Sequence, residues 1–250
     1  MIKIENTEVF GWESAIRGMR NPMNSWDKSD SFKCDVVGCR SEDCPAYIIE
    51  DGFISCSQEG TYIIGENDFA LMKRLVKSGS DHSKFMRMIN VTMDITAPLY
   101  WWKEYDTYKV GTVRNSCSTM HKITDKEFTL DDFSHEHLVH WDINGPSTSP
   151  LDALIPMGIL SQIVDCLNEA RRRYLKVKNE ELKKMWWWQI IQLLPSSYNQ
   201  RATVQLNYAV LRNMYSSRKN HKLDEWREFC KCIETFPYSE LITSKGENDE

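Results

Sequence analysis

The sequence predicts an α+β fold of the mixed α/β type, with one central sheet packed against long helices. Three observations support this class. Runs rich in β-branched residues, typical of strands, recur along the chain. The two longest segments with helical periodicity, Leu151–Lys176 and Glu180–Leu194, follow one another and can form an antiparallel helix pair. A composition of 41% hydrophobic and 27% charged residues is ordinary for a globular protein.

Length and charge exclude several classes of protein. With 250 residues the chain can bury a substantial core, and we expect one domain over residues 1–242 followed by a disordered tail at 243–250. Apolar runs are far shorter than the roughly 20 residues that span a bilayer, and a secretory signal is lacking, so we expect a cytoplasmic protein. A net charge of -5 disfavours binding to a nucleic-acid polymer, whereas a single nucleotide needs only a local basic pocket.

The first part of the chain predicts a strand, a helix and a hairpin. Residues 7–20 predict a strand or turn that leads into a short helix, which Asn21-Pro22 ends. Residues 27–65 form a polar, cysteine-bearing insertion. Within it, residues 46–55 predict a hairpin with Asp51-Gly52 at its turn.

Four cysteines, Cys34, Cys39, Cys44 and Cys56, lie in the insertion. A zinc-stabilised loop would explain four thiols in a polar segment, but their spacings lack the C-x-x-C pairs of zinc knuckles. Because the cytosol keeps thiols reduced, thiols without metal are the favoured interpretation and zinc the alternative. We therefore predict no metal site.

Helices and strands alternate through the rest of the chain. Apolar spacing predicts helices, β-branched residues predict strands, and glycine or proline marks their ends. The predicted elements are a helix over Asn67–Lys77 ended by Gly79, a strand over 88–96, a helix opened by Pro98, the helix pair, a strand containing Val204 and Leu206, a helix from Asn207, and a final helix over Leu223–Thr235.

The segment from Leu193 to Arg218 combines a proline, a strand-like run and a helix that ends in a cation. Intervals of twelve, six and five residues separate Pro195, Asn207, Asn213 and Arg218. This pattern resembles the C-terminal motif of flavin-dependent thymidylate synthases. The resemblance implies that Asn207 and Asn213 bind the flavin, and that Arg218 is catalytic because it stabilises negative charge on the uracil ring.

Two earlier segments resemble the same family. Residues 16–20, with the nearby Asn24-Ser25, are similar to its first strand–helix region, and the resemblance implies that Ser25 binds a phosphate of the substrate. Residues 80–85 are similar to its Gly-His-Glu-x-x-Phe segment. The resemblance implies that His82 and Ser83 bind the flavin.

The family's signature motif, Arg-His-Arg-x-x-Ser, aligns with Thr107 to Thr112 but is mostly replaced. Lys109 stands for an arginine, and an ammonium can neutralise a phosphate without the planar fork of a guanidinium. Arg114 can substitute for a lost arginine at a shifted position. The resemblance implies that the substrate is bound by Glu104, Thr107, Arg114 and Asn115, and the flavin by Tyr108 and Lys109.

The resemblance also implies an activity. A one-carbon unit would pass from methylenetetrahydrofolate to C5 of dUMP, with reduction by FADH2, and NADPH would reduce the FAD again. A homo-oligomer, typically a tetramer, is the family's assembly. Because the signature arginines are lost, two alternatives stay open: a catalytically silent protein that binds a nucleotide or another protein, or a variant pyrimidine-nucleotide methyltransferase or hydroxymethyltransferase.

Overall fold

A computed structural model of the chain describes residues 1–34, 60, 62–140 and 155–244, and the backbone of residues 47–50 and 53–56. Two compact units divide the chain. The first comprises Met1–Thr7, Thr92–Gln205 and Asn220–Phe229, and the second comprises Glu8–Val91, Leu206–Lys219 and Cys230–Glu250. Helices and an antiparallel sheet are both present, which confirms the predicted fold class. The single domain over residues 1–242 stays a prediction.

Eight strands and eight α-helices are described. The strands are β1 (Lys3–Phe10), β2 (Phe32–Lys33), β3 (Tyr47–Glu50), β4 (Phe53–Cys56), β5 (Tyr62–Ile63), β6 (Asn90–Pro98), β7 (Val113–Ser116) and β8 (Asn199–Asn207). The helices are α1 (Trp12–Arg20), α2 (Glu66–Lys77), α3 (Leu99–Tyr105), α4 (Pro156–Lys176), α5 (Glu180–Leu193), α6 (Tyr208–Arg218), α7 (Asp224–Glu234) and α8 (Glu240–Thr243). Among these helices, none is long and apolar enough to cross a bilayer.

The main sheet has the strand order β1-β6-β8-β7. Strand β8 runs antiparallel to β7, with Val113 opposite Gln205 and Ser116 opposite Ala202. Alternate residues of β8 are buried, which is the period-two pattern of a strand with one face on a core. The strands predicted at 88–96 and around Val204 are confirmed.

One carboxylate on β6 links three strands on the exposed face of the sheet. Asp94 accepts hydrogen bonds from Thr203 Oγ1 at 2.5 Å and Arg201 Nη2 at 2.8 Å on β8, and from Asn6 Nδ2 at 2.8 Å on β1. Hydrogen bonds from Thr203, Arg201 and Asn6 lower the pKa of Asp94 far below its usual value. The carboxylate is therefore ionised at neutral pH.

The first unit has an aromatic core beside the sheet. Trp101, Trp102 and Tyr105 on α3 are at most 1% exposed, as are Trp226 and Phe229 on α7. The ring centroids of Trp101 and Trp226 are 4.8 Å apart in a tilted arrangement. Such aromatic contacts add to the free energy gained by burial.

The predicted helix pair is confirmed as α4 and α5. Leu160, Val164 and Leu167 of α4 and Ile190 of α5 belong to one buried cluster. Helix α4 begins at Pro156, and residues 151–154 of the predicted segment lie outside the described residues.

Trp12 makes two aromatic contacts within the second unit. Its ring lies 5.3 Å from that of Tyr208 and 5.2 Å from that of Tyr238. Gly11, with φ of 95°, connects β1 to α1, and a Cβ there would lie 2.1 Å from the carbonyl oxygen of Met88. Only glycine fits this backbone without strain.

Two predictions about the helices were wrong, one about which helix is the last and one about where a helix begins. The helix at Leu223–Thr235 is present as α7 but is not the last, because the four-residue helix α8 follows it. Pro98 precedes the first residue of α3 as its N-cap, with extended backbone, and does not open the helix itself. The hairpin predicted at 46–55 is confirmed as β3 and β4, although its turn at Asp51-Gly52 lies outside the described residues.

Candidate functional site

Two of the predicted site residues line one cavity of the second unit. Ser25 and His82 both face a space of about 1240 Å³, together with Arg74, Lys84 and Phe85. Their sequence separation gave no reason beyond the family resemblance to place them together. The residues that line the cavity are cationic, apolar and acidic, the acidic ones being Asp27, Asp30 and Asp81.

Arg20, at the end of α1, organises the segment that carries Ser25. Its Nε donates to Asp68 Oδ1 at 2.6 Å, and its Nη1 donates to the carbonyl oxygen of Ser25 at 3.0 Å. Its Nη2 donates to the carbonyl oxygen of Lys28 at 2.9 Å. The Arg20 and Asp68 side chains are 5% and 0% exposed. This buried ion pair therefore fixes the backbone at Ser25 and at Lys28.

Asp68 has partners for both of its carboxylate oxygens. Its Oδ2 accepts from the hydroxyls of Ser29 and Ser31, each at 2.6 Å. Burial alone would raise the pKa of Asp68, but hydrogen bonds from Ser29, Ser31 and Arg20, with the charge of Arg20, outweigh it and lower the pKa below 3.8. Asp68 is an anion fully paired within the protein, as buried charges require.

His82 and Ser83 lie in a turn between α2 and the 3₁₀ helix Lys84–Arg87. The backbone N–H groups of both residues donate to the carbonyl oxygen of Gly79 at 3.2 Å. Gly79 has φ of 99°, which agrees with its predicted role after α2. His82 is exposed and Ser83 is half-buried, so a ligand can reach both.

Helix α6 carries the retained motif. Asn207 is its N-cap, is 9% exposed, and accepts a hydrogen bond at Oδ1 from the backbone N–H of Val210 at 3.1 Å. Arg218 is the last residue of the helix. At about 100° per residue, Arg218 lies on nearly the same side of the helix as Asn207, whereas Asn213 lies about 120° away.

Asn213 belongs to a different surface of the second unit. It is exposed and lines a cavity of about 510 Å³ with Arg212, Tyr215 and Lys219. Asn207 and Arg218 therefore lie on one side of α6 but at opposite ends of the helix. The structure does not bring Asn213 to that side, although the sequence suggested that both asparagines can serve one ligand.

The remaining predicted residues lie in the first unit. Glu104 is on α3, and Thr107 follows that helix with its hydroxyl donating to the carbonyl oxygen of Glu104 at 2.7 Å. Tyr108 is half-buried and Lys109 is exposed in the next turn. Asn115 is exposed on β7, opposite Thr203 of β8.

Arg114 on β7 makes three contacts inside its own unit. Nη1 donates to Asp106 Oδ2 at 2.6 Å, and Nη2 donates to Gln200 Oε1 at 2.5 Å. The guanidinium carbon lies 3.9 Å from the ring centroid of Trp102, a cation–π distance. These contacts engage the guanidinium in the fold itself.

Sequence reasoning missed the partners of Glu104. Its Oε2 accepts a hydrogen bond from Trp226 Nε1 at 3.0 Å and lies 3.5 Å from His221 Nε2. Glu104 and Trp226 are 122 positions apart, so no local spacing could have paired them. The side chains of Glu104 and His221 are 35% and 23% exposed, which keeps this pair within reach of solvent.

Metal ligands are not grouped in the part of the chain that the structure describes. No three His, Cys, Asp or Glu side chains come together there. Cys34 is buried, but Cys39, Cys44 and the side chain of Cys56 lie outside the described residues. The alternative of a zinc-stabilised insertion stays a prediction.

Comparison with solved structures gives the fold. The chain is similar to flavin-dependent thymidylate synthase ThyX from Helicobacter pylori, in a crystal structure with FAD and dUMP, with a TM-score of 0.60, 14% identity, and coverage of 96% of this chain and 97% of that chain. A second crystal structure of ThyX from this organism with FAD and dUMP gives 0.60, 13%, and 97% of each chain. No family model and no curated protein matches the sequence. The likeness spans nearly all of both chains, so the fold expected from the resemblance is confirmed.

Proposed function

We propose that this protein is a flavin-dependent enzyme that transfers a one-carbon unit from methylenetetrahydrofolate to C5 of dUMP, with reduction by FADH2. The observation that carries this proposal is the similarity of fold, over 96% of the chain, to an enzyme solved with FAD and dUMP. The intervals from Pro195 to Arg218 support it independently, because they are a property of the sequence.

The cavity beside Ser25 and His82 suits a phosphate-bearing ligand. Its volume, about 1240 Å³, exceeds the roughly 300–1,000 Å³ of common small-molecule pockets and would accept a dinucleotide. Arg74 and Lys84 offer positive charge for phosphates, and Phe85 offers an apolar wall. The carboxylate of Asp81, 3.9 Å from Lys84 Nζ, offsets part of that charge. We assign Ser25 to a nucleotide phosphate and His82, with the adjacent Ser83, to the flavin.

Arg218 is the proposed catalytic residue. Negative charge develops on the uracil ring when C5 becomes a nucleophile, and a fixed guanidinium nearby would stabilise it. Asn207, on the same side of α6 as Arg218, is assigned to the flavin. Asn213 is also assigned to the flavin, although it lies on a different side of the helix. A bound flavin supplies the hydride, and the protein orients it and excludes water.

The first unit supplies the remaining proposed contacts. Its residues after α3 and on β7 are polar and reachable by solvent, which suits ligand binding. We assign Glu104, Thr107, Arg114 and Asn115 to the substrate, and Tyr108 and Lys109 to the flavin. NADPH as reductant, a homo-oligomer such as a tetramer, and a cytoplasmic location complete the proposal.

Two measurements test this function. Purified protein is expected to show the visible absorption bands of oxidised flavin, or to acquire them on titration with FAD. It is also expected to release tritium from C5-labelled dUMP when methylenetetrahydrofolate and reduced FAD are present. A colourless protein that takes up no FAD would contradict the proposal.

The contacts of Arg114 favour one alternative, a silent protein that binds a nucleotide without turnover. Its guanidinium is held by Asp106, Gln200 and Trp102, and Thr107 stands where the family has an arginine. Binding of dUMP without tritium release would support this alternative. Where tritium is released, the mass of the product distinguishes a methyl from a hydroxymethyl group.

A further inference from the structure

The Glu104 carboxylate is held by two groups from the segment around the start of α7. Trp226 Nε1 donates to Oε2 at 3.0 Å, and His221 Nε2 is 3.5 Å from the same oxygen. Trp226 is fully buried within the aromatic core of the first unit, so its indole cannot move without disturbing Trp101 and Phe229. One oxygen of a flexible side chain is thereby fixed relative to a rigid core.

The backbone determines which nitrogen of His221 carries the proton. The N–H of Leu223 donates to His221 Nδ1 at 3.2 Å, so Nδ1 must keep its lone pair. In the neutral imidazole the proton then lies on Nε2, the nitrogen that faces Glu104. The Nε2–H of His221 therefore faces the carboxylate at 3.5 Å, the long limit of a hydrogen bond, without the ring having to be protonated.

We propose that His221 is a positioning residue that orients Glu104 toward the nucleotide. This inference rests on the proposed function, in which Glu104 binds the substrate. A carboxylate accepts hydrogen bonds from hydroxyl or imide N–H donors, both of which a pyrimidine nucleotide offers. A glutamate that is already oriented loses less conformational entropy when the ligand binds, so affinity rises.

Two variants separate this role from a local structural one. His221→Asn keeps an oxygen that can accept from the Leu223 N–H, as in an Asx turn, but is too short to reach Glu104. His221→Gln carries an amide N–H at about the reach of Nε2. His137→Asn is the matched control, because His137 Nε2 pairs with Asp224 Oδ2 at 3.1 Å on the exposed surface of the same unit.

The measurement is the Kd of dUMP for the purified, FAD-loaded protein, with thermal unfolding of each variant alongside. His221→Asn is expected to raise the Kd about tenfold, the effect of one hydrogen bond to a charged group, whereas His221→Gln stays within about threefold. His137→Asn is expected to bind like the wild type. In a Glu104→Gln background, His221→Asn is expected to change the Kd little further, because the partner is already altered.

Three outcomes would overturn the inference. Wild-type affinity in His221→Asn would show that Glu104 needs no orientation by His221, and would leave the proposed function intact. Equal losses in His221→Asn and His221→Gln, with lower melting temperatures in both, would assign His221 to local structure. A wild-type protein that binds no dUMP would overturn this inference together with the proposed function.

Discussion

Two motif-bearing regions of this chain differ in how well they keep the family's spacing. The region from Pro195 to Arg218 keeps its family intervals and forms a strand, an N-cap and a helix that ends at Arg218. The region from Thr107 to Thr119 has lost its motif, and its arginine, Arg114, binds Asp106 and Gln200 within the fold. The kept spacing is therefore the reason to propose a catalytic role for Arg218, whereas Arg114 has partners in the fold that its ligand role would have to share.

The largest expected effect concerns a third region, the buried Arg20–Asp68 ion pair that holds the backbone at Ser25. The proposed function needs this region as well as the retained motif from Pro195 to Arg218. Asp68→Asn would leave the Arg20 guanidinium buried without its anion and is expected to lower the free energy of unfolding by about 3–5 kcal/mol. Urea unfolding measures this change. Glu13→Gln is the control, since the exposed Glu13–Arg17 pair, at 4.0 Å, should contribute less than about 1 kcal/mol.

The difference in the free energy of unfolding between Asp68→Asn and the wild type also depends on pH. Because the folded-state pKa of Asp68 lies below the ordinary 3.8, its stabilisation is fully present above pH 3.8 and is lost as the pH falls through the folded value. The two proteins should therefore converge in stability below pH 3.8. If the free energies of unfolding of the two proteins differ by the same amount at every pH, including well below pH 3.8, the ionised carboxylate is not what stabilises the fold.

The next effect tests the retained motif directly. Arg218→Ala is expected to lower the rate of tritium release from C5 of dUMP by about a hundred- to a thousandfold, the usual cost of removing one donor to a developing anion, while FAD stays bound. Lys176→Ala, which removes an exposed cation from the end of another helix, α4, should retain the wild-type rate. Equal rates of tritium release in Arg218→Ala and the wild type would show that the retained motif supplies no catalytic arginine.

Arg114→Lys tests the region from Thr107 to Thr119, in which the motif is lost. An ammonium cannot serve Asp106, Gln200 and the Trp102 face at once, so the free energy of unfolding is expected to fall by about 1–2 kcal/mol. Chemical denaturation and the Kd of dUMP are measured together. Unchanged stability with a weaker Kd would mean that Arg114 serves the substrate and contributes little to the stability of the fold.

The smallest effect separates two roles of Asn207. Asn207→Ala is expected to cost about 1 kcal/mol of stability through loss of the N-cap, whereas Asn207→Asp keeps an acceptor for the Val210 N–H and should keep the stability. Since Asn207→Asp loses the amide donor, FAD affinity should fall about fivefold. If FAD binds Asn207→Asp as it binds wild type, the residue is a cap and no more.

Much of the fold could be predicted because the pattern of each long element is local. The β-branched run of β6, the alternation of β8 and the periodicity of α4 and α5 are visible in short windows of sequence. Short elements escaped prediction. Helix α8 spans four residues, too few to show a period.

The roles of the candidate site residues stay predictions, and what the structure adds is where those residues lie. The intervals selected Asn207, Asn213 and Arg218 together, but a separation of six residues places Asn213 on another side of α6 from Asn207. The pairs Arg20–Asp68 and Glu104–Trp226 join positions 48 and 122 residues apart. Such pairs form only when distant parts of the chain fold together, so a short stretch of the sequence cannot predict them.

The Asp94 carboxylate has a consequence for how the sheet assembles. A slip of β1 or β8 by one residue would turn Asn6 or Thr203 to the opposite face and leave the anion without those donors. A misaligned strand pair therefore lacks hydrogen bonds to a charged group that the native register makes. Asp94→Ala would remove this difference between the native register and the misaligned ones.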